Sequence, residues 1–166
     1  GWTRDGGDAS EVVISSSIGN NGKSLQFNRS PDTGEMWLFK YNNLATPWME
    51  REAGNDVYAA EFDFFTGENS IGIGEFGVQI YADNYEYIAG IYFDYTTKMF
   101  VGSTYPANET EVAYYDLDDV AFPDNTWVNV KIFYDSISGD VTWQINNSKT
   151  VNVIKSDADL NPIEFN

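Results

Sequence analysis

Apolar residues recur at every second position along most of this 166-residue chain, with β-branched and aromatic side chains in the favoured slots. That period matches the pleat of a strand, whose side chains alternate between two faces, and not the turn of a helix. In Val57–Phe65, the residues Tyr58, Ala60, Phe62 and Phe64 share one side, while Ala59, Glu61 and Asp63 share the other. The same division sets Val128, Val130, Ile132 and Tyr134 against Asn129 and Lys131, and Val141, Trp143 and Ile145 against Thr142 and Gln144. Strands are predicted near Glu11–Ile18, Ser24–Asn28, Met36–Tyr41, Val57–Phe65, Phe76–Ala82, Tyr87–Asp94, Lys98–Ser103, Glu111–Tyr115, Trp127–Asp135, Asp140–Asn146 and Lys149–Ile154. Between them, Asp32-Thr33-Gly34, Thr66-Gly67, Asp83-Asn84 and Ser138-Gly139-Asp140 supply residues that tolerate tight or left-handed turns. A lone sheet would leave its apolar face in water, so the pattern predicts an all-β, antiparallel sandwich of two sheets. No helix is expected, and the tail Ser156–Asn166 loses the alternation, which places any closing strand outside it.

One domain spanning residues 1–166 is the expectation. A chain of this size buries roughly 70% of the surface its unfolded form exposes, enough for a core without disulfides or a structural metal. The absence of Cys and His removes thiol nucleophiles, zinc sites and Ser-His-Asp triads, each of which needs a thiolate or an imidazole. With 26 acidic against 9 basic residues, the net charge of −17 opposes phosphate backbones and anionic headgroups, and the cations are scattered. Nucleic acid is therefore excluded as a partner. So is membrane insertion, because no apolar run approaches the ~20 residues a helical span needs. The first residues carry neither an initiator Met nor a signal-peptide core, as expected of a processed form or an excised piece of a larger secreted protein. An acidic, cysteine-free, aromatic-rich chain fits an extracellular or cell-surface setting.

Three stretches carry a resemblance: Gly22-Lys23-Ser24-Leu25-Gln26-Phe27, Tyr58-Ala59-Ala60-Glu61-Phe62-Asp63-Phe64, and Thr126 through Asp135 with Ser138-Gly139-Asp140-Val141. Together they resemble the concanavalin A-like jelly roll, nearest its laminin-G-type and lectin/glucanase branches, over roughly residues 11 to 154. Thr46-Pro47 through Arg51, with Val57-Tyr58 and Glu61-Phe62-Asp63, also resembles domains of secreted or surface proteins of the Bacteroidetes. The resemblance implies a jelly-roll topology. It also implies a comparison with laminarinase-type glycosidases, which carry a Glu-x-Asp-x-(x)-Glu strand. Glu61 and Asp63 match its first two positions, but Phe65 and Thr66 follow, and Glu68 lies beyond the Thr66-Gly67 turn. Retaining hydrolysis needs two carboxyls about 5 Å apart, so the general acid is missing and no enzyme is expected. Polysaccharide lyases on this fold are disfavoured too, for want of a His and of a basic cluster.

Sugars stack their C–H faces on aromatic rings and share hydroxyl hydrogen bonds with carboxylates, amides and Arg. The 11 Tyr and 5 Trp supply such rings. Trp48, Tyr85 and Tyr105 fall in predicted loops, and Gln79 and Tyr81 lie opposite Val78 and Ile80, so these five, with Arg51, Glu61 and Asp63, are the candidate ligand-binding residues. Glu61 and Asp63 have a plainer alternative as a solvated pair bonded to Arg51 and Lys131. Trp127, Trp143, Tyr58 and Phe62 are assigned to the core. Calcium is common in jelly rolls of the resembled kind, and Asp116, Asp118 and Asp119 are the candidate ligands, with the turn from Asp135 to Asp140 as a second possibility. The expectation is a non-catalytic, lectin-like domain for a neutral glycan. The alternative is a structural or adhesive module meeting another surface protein, and the third is a degenerate laminarinase-like glycosidase.

Overall fold

The structure, a computed structural model, describes residues 3–6, 12–20, 22–28, 36–39, 45–68, 75–83, 85–107, 109–147, 149–154 and 157–165. The Asp32-Thr33-Gly34 turn and Asn84 lie outside these residues. The chain divides into two compact units, Gly1–Phe39 and Lys40–Asn166.

In the first unit, β1 (Thr3–Gly6) pairs antiparallel with β4 (Met36–Phe39), and β2 (Val12–Ser15) with β3 (Ser24–Phe27). The β2–β3 pair leaves Ile14 and Leu25, which face each other across the ladder, 65% and 44% exposed.

The second unit is built from two antiparallel sheets. One has the order β12-β11-β10-β5, from Lys149–Ile154, Asp140–Ile145, Trp127–Asp135 and Val57–Phe65. The other runs β13-β6-β7-β8-β9, from Pro162–Phe165, Glu75–Ala82, Tyr87–Asp94, Met99–Thr104 and Ala113–Asp116. Their facing sides share one core. Ala60, Phe64, Val128, Val130, Ile132, Tyr134, Val141, Trp143 and Ile145 meet Ile80, Ile91, Phe93 and Phe100, and the architecture is all-β and sandwich-like. Alternation in β10 and β11 is complete, each second residue being buried, as the sequence requires. Phe64 anchors an aromatic cluster, with Phe93 at 5.3 Å and Phe100 edge-on at 5.4 Å between ring centroids.

Trp143 ties the two sheets together. Its indole N–H, on β11, donates to the carbonyl of Gly90 on β7 at 2.8 Å. The ring lies against Gly102 on β8, where an added Cβ would fall 2.7 Å from the indole Cε2, so a side chain there would displace it. Tyr115, the partner of Gly102 on β9, packs against the indole at 5.8 Å between ring centroids.

The turns follow local chemistry. Between β10 and β11, the Asp135 carboxylate accepts the N–H of Ile137 and of Ser138, and Gly139 takes φ 76°. Between β11 and β12, Asn146 and Asn147 both adopt positive φ, a backbone that Asn tolerates better than most residues.

Three expectations need correction. A short helix, α1 (Ala45–Met49), stands where a loop was expected. The tail holds a strand, β13, which pairs with β6 through a register shift that its sequence pattern conceals. Trp127 shares the outward side of β10 with Asn129 and Lys131, and its half-buried ring packs on Phe65 at 5.1 Å instead of entering the core.

Replacing Trp143 by Phe leaves the Gly90 carbonyl without its indole donor and a void beside Gly102. The expected loss is about 2–4 kcal/mol, measured as a lower urea midpoint with an unchanged slope.

Candidate functional site

The sheet β13-β6-β7-β8-β9 turns its outer face to an open groove of about 700 Å³. Antiparallel register builds its floor. Gln79, Gly90, Ser103 and Tyr114 lie in one row across β6, β7, β8 and β9, and Gly77, Tyr92 and Val101 in the row beside it. Glycine occupies these rows for steric reasons: a Cβ on Gly77 would lie 2.1 Å from the backbone carbonyl oxygen of Ile91, and one on Gly90 would lie 2.3 Å from the Tyr87 hydroxyl. At Gly90 the space that a side chain would have filled is occupied by a phenol.

Six tyrosines line the groove: Tyr81, Tyr85, Tyr87, Tyr92, Tyr105 and Tyr114. Tyr87 stands among them, with Tyr81 edge-on at 5.4 Å and Tyr105 edge-on at 6.2 Å. Its hydroxyl bonds that of Ser103 and lies 3.3 Å from the Tyr92 hydroxyl. Gln79 ties the set together, its amide donating to Tyr92 Oη at 2.5 Å while its carbonyl accepts from the Tyr81 hydroxyl at 2.8 Å. A buried Gln with both ends engaged fixes two rings at once, which is the rigid, preorganised floor a ligand site needs.

Tyr85 and Tyr114 are the open members, 67% and 63% exposed. Tyr85 sits in the β6–β7 hairpin at φ 62°, a left-handed backbone that costs a bulky residue roughly 1 kcal/mol or more. The hairpin is closed by the N–H of Ala82 donating to the Glu86 carbonyl at 2.9 Å and that of Tyr85 donating to the Ala82 carbonyl at 3.0 Å. Glu86, Glu109 and Asp157 complete the lining with negative charge, and no Lys or Arg joins them among the described residues. The rings, hydroxyls and carboxylates together can stack on a ligand and hydrogen-bond to it.

Four of the residues singled out in the sequence, Gln79, Tyr81, Tyr85 and Tyr105, meet here. The other four lie elsewhere. Trp48 is on α1 and only 6% exposed, its indole donating to Asn161 and its face covered by the Arg51 guanidinium at 4.0 Å; Arg51 also pairs with Asp56 at 3.1 Å. Glu61 and Asp63 are exposed on the outer face of the other sheet, where the Asn129 amide donates to both at 3.0 Å and Lys131 pairs with Glu61 at 3.1 Å. Hydrogen bonds from Lys131 and Asn129 hold the Glu61 carboxyl below its ordinary range, which is the solvated, paired state and not that of a proton donor. The third position along that face is Phe65, its ring on Trp127.

Asp116, Asp118 and Asp119 follow one another at the end of β9, where the Asp118 carboxylate accepts the N–H of Asp119. Among the described residues no three acids gather as a metal site, and the Asp135 carboxylate is engaged by its own turn. Also among the described residues, no helix is long and apolar enough to cross a membrane.

Tyr87, Tyr92 and Tyr114 were not foreseen. Tyr87 and Tyr92 lie in a strand that is apolar on both faces, and Tyr114 neighbours Tyr115, which faces the core, so alternation alone does not single them out.

Burial pushes the Tyr58 and Tyr134 phenols up to about 12 and the Tyr87 phenol further still. Because the folded state holds the proton more tightly than the unfolded chain, the stability these groups contribute is fully present below about pH 10 and drains away above it. A phenolate absorbance titration is expected to show an early set of exposed tyrosines and a late set that ionises only as the fold is lost. A single wave near pH 10 in a folded protein contradicts this. Gly90→Ala is expected to shift Tyr87 and lower stability by about 1–3 kcal/mol, the cost of overpacking, measured by urea denaturation.

No family model matches the sequence, and no curated protein matches it.

Proposed function

We propose that the chain is a non-catalytic carbohydrate-binding domain of an extracellular or cell-surface protein, built on a concanavalin A-like jelly roll, and that the tyrosine groove receives a glycan free of acidic groups. The observation that carries this reading is the groove itself, six phenol rings around a buried, fully engaged Gln79. Tyr offers a flat apolar face for sugar C–H groups and a hydroxyl for sugar oxygens, with little side-chain entropy to lose. Strand orders that place β5 beside β10 and β13 beside β6 support a topology with long crossovers, as a jelly roll requires. The absence of chemistry is supported by Phe65 at the position where a general acid belongs, its ring packed on Trp127.

A second reading, an adhesive module that meets another protein, draws on the β2–β3 pair, where Val13, Ile14, Ile18 and Leu25 present apolar surface.

A glycan array followed by calorimetry tests the first reading. Tyr114→Ala and Tyr85→Ala are expected to weaken binding about tenfold each, as loss of an aromatic face does, with little change in stability because both rings are exposed. Trp48→Ala is expected to do the reverse, costing about 3 kcal/mol of stability while leaving affinity intact. Affinity that follows Trp48 and ignores Tyr114 places the ligand elsewhere.

A further inference from the structure

Resting on the carbohydrate reading above, we propose that the groove recognises a sugar hydroxyl as a hydrogen-bond acceptor through the Tyr92 phenol, and that Gln79 is the positioning residue that imposes this direction. A phenol has one proton to donate, and where that proton goes depends on which neighbours already occupy its oxygen. Tyr81 gives its proton to the Gln79 carbonyl at 2.8 Å, and the amide at the other end of Gln79 donates to the Tyr92 oxygen at 2.5 Å. An amide nitrogen accepts nothing, so the Tyr92 proton must point away from Gln79.

The other neighbour is Tyr87, whose oxygen lies 3.3 Å from that of Tyr92, beyond the ~2.5–3.0 Å of an ordinary O–H···O bond. The bond between the Tyr87 and Ser103 hydroxyls can run in either direction, and both lead to the same result. With Tyr87 donating to Ser103, the Tyr92 proton has only the long contact to turn to. With Ser103 donating to Tyr87, the proton of the buried Tyr87 is directed at Tyr92, and the Tyr92 oxygen accepts twice. In either state no acceptor among the described residues takes the Tyr92 proton at normal distance. Tyr92 is half-buried and lines the groove, whereas Gln79, Tyr87 and Ser103 are buried, so a ligand can reach the one hydroxyl whose proton is left over. A sugar oxygen placed there exchanges a 3.3 Å contact for a full hydrogen bond. A sugar hydroxyl can both donate and accept. At this point only its lone pairs count.

The probes are the methyl glycosides of glucose, galactose and mannose with their monodeoxy and monodeoxyfluoro forms, titrated by calorimetry. Fluorine accepts weakly and cannot donate, and hydrogen does neither. At one ring position the deoxy form is expected to bind about tenfold more weakly than the hydroxyl form, with the fluoro form between them. Tyr92→Phe is expected to erase that difference. Fluorine costing as much as hydrogen at every sensitive position overturns the assignment, and so does a difference that survives Tyr92→Phe. Gln79→Glu keeps the outline but brings a carboxyl that, once ionised, only accepts and draws the Tyr92 proton inward. Taken as a ratio to the wild type from about pH 4 to 9, its preference for the hydroxyl form is expected to fade as the carboxyl ionises. Tyr81 and Tyr92 face that carboxyl, with Tyr87 beyond Tyr92, and Glu86, Glu109 and Asp157 of the lining titrate in both proteins, so the ratio removes them. A constant preference across that range overturns the role of Gln79. Where the variant does not fold, NMR of the wild type decides: the Gln79 side-chain amide protons are expected to show nuclear Overhauser contacts to the Tyr92 ring, and contacts to Tyr81 instead overturn the direction. Failure of all these glycosides and of every glycan on the array overturns the carbohydrate reading itself, a result separable from the amide contacts, which need no ligand.

Discussion

The hydrogen bond from the Trp143 indole to the Gly90 carbonyl joins the two halves of the molecule's larger unit, and much else depends on it. The indole can reach that carbonyl only because Gly102 leaves room for the ring, and Tyr115, beside Gly102 on the next strand, packs against it. Gly90 is shared with the groove. On one side its carbonyl is held by the core, and on the other its missing Cβ makes space for the Tyr87 hydroxyl. A groove floor attached at this point inherits the rigidity of the sandwich, because a shift of β7 would break a buried indole bond and leave its partner unpaired.

The same constraint explains why β7 is covered on both sides. Every residue from Tyr87 through Ile91 is buried, along with Phe93, although one face of that strand looks away from the core. A central strand with an outer face of small and aromatic residues must be sheltered, and here the shelter is the rings of Tyr81, Tyr92 and Tyr105, with the Tyr81 and Tyr92 hydroxyls bonded to Gln79 and that of Tyr87 to Ser103. The tyrosines therefore serve packing and surface chemistry together. The raised pKa of the Tyr87 phenol, caused by its burial, is the electrostatic mark of that shelter.

This double role sets the limit on what the sequence discloses. In β10 and β11 the inward positions are Val, Ile, Tyr134 and Trp143 and most outward ones are polar, and in β5 Glu61 and Asp63 mark the outward side, so parity identifies the core face of each. In β7 the residues Tyr87-Ile88-Ala89-Gly90-Ile91-Tyr92-Phe93 are apolar on both faces, so alternation identifies the strand but not its outward side. Tyr87 and Tyr92 were hidden by that, while Gln79 and Tyr81, whose neighbours Val78 and Ile80 contrast with them, were legible. Trp127 misled for a related reason: it opens a strand of clear parity but stands on the Asn129 side, sheltered by Phe65 across the ladder. Trp48 looked open because Thr46-Pro47 suggests a loop, whereas a partner more than a hundred residues away, Asn161, receives its indole N–H and Arg51 lies on its face. Contacts of that range leave no trace in local pattern. The strand β13 escaped notice because a register shift interrupts its pairing with β6.

The contrast between the two outer faces decides where a ligand is better accommodated. On the four-stranded sheet, charges are already satisfied by neighbours one rung away, Glu61 by Lys131 and Asn129, and Asp63 by Asn129, so a ligand there would have to replace bonds it could at best reproduce. On the five-stranded sheet the engaged polar atoms lie at the bottom, and above them stand the open rings of Tyr85 and Tyr114 and a rim of carboxylates. Tyr85 is held there by a left-handed backbone that a glycine would adopt without strain. A hairpin that keeps a tyrosine at that position gives up stability for a ring at the mouth of the groove, and the proposed binding supplies a physical return for it. With the floor fixed by Gln79 and the rings limited to two rotatable bonds each, little ordering remains to be done when a ligand arrives, so stacking and hydrogen bonding are spent on affinity and selection instead of on assembling the site.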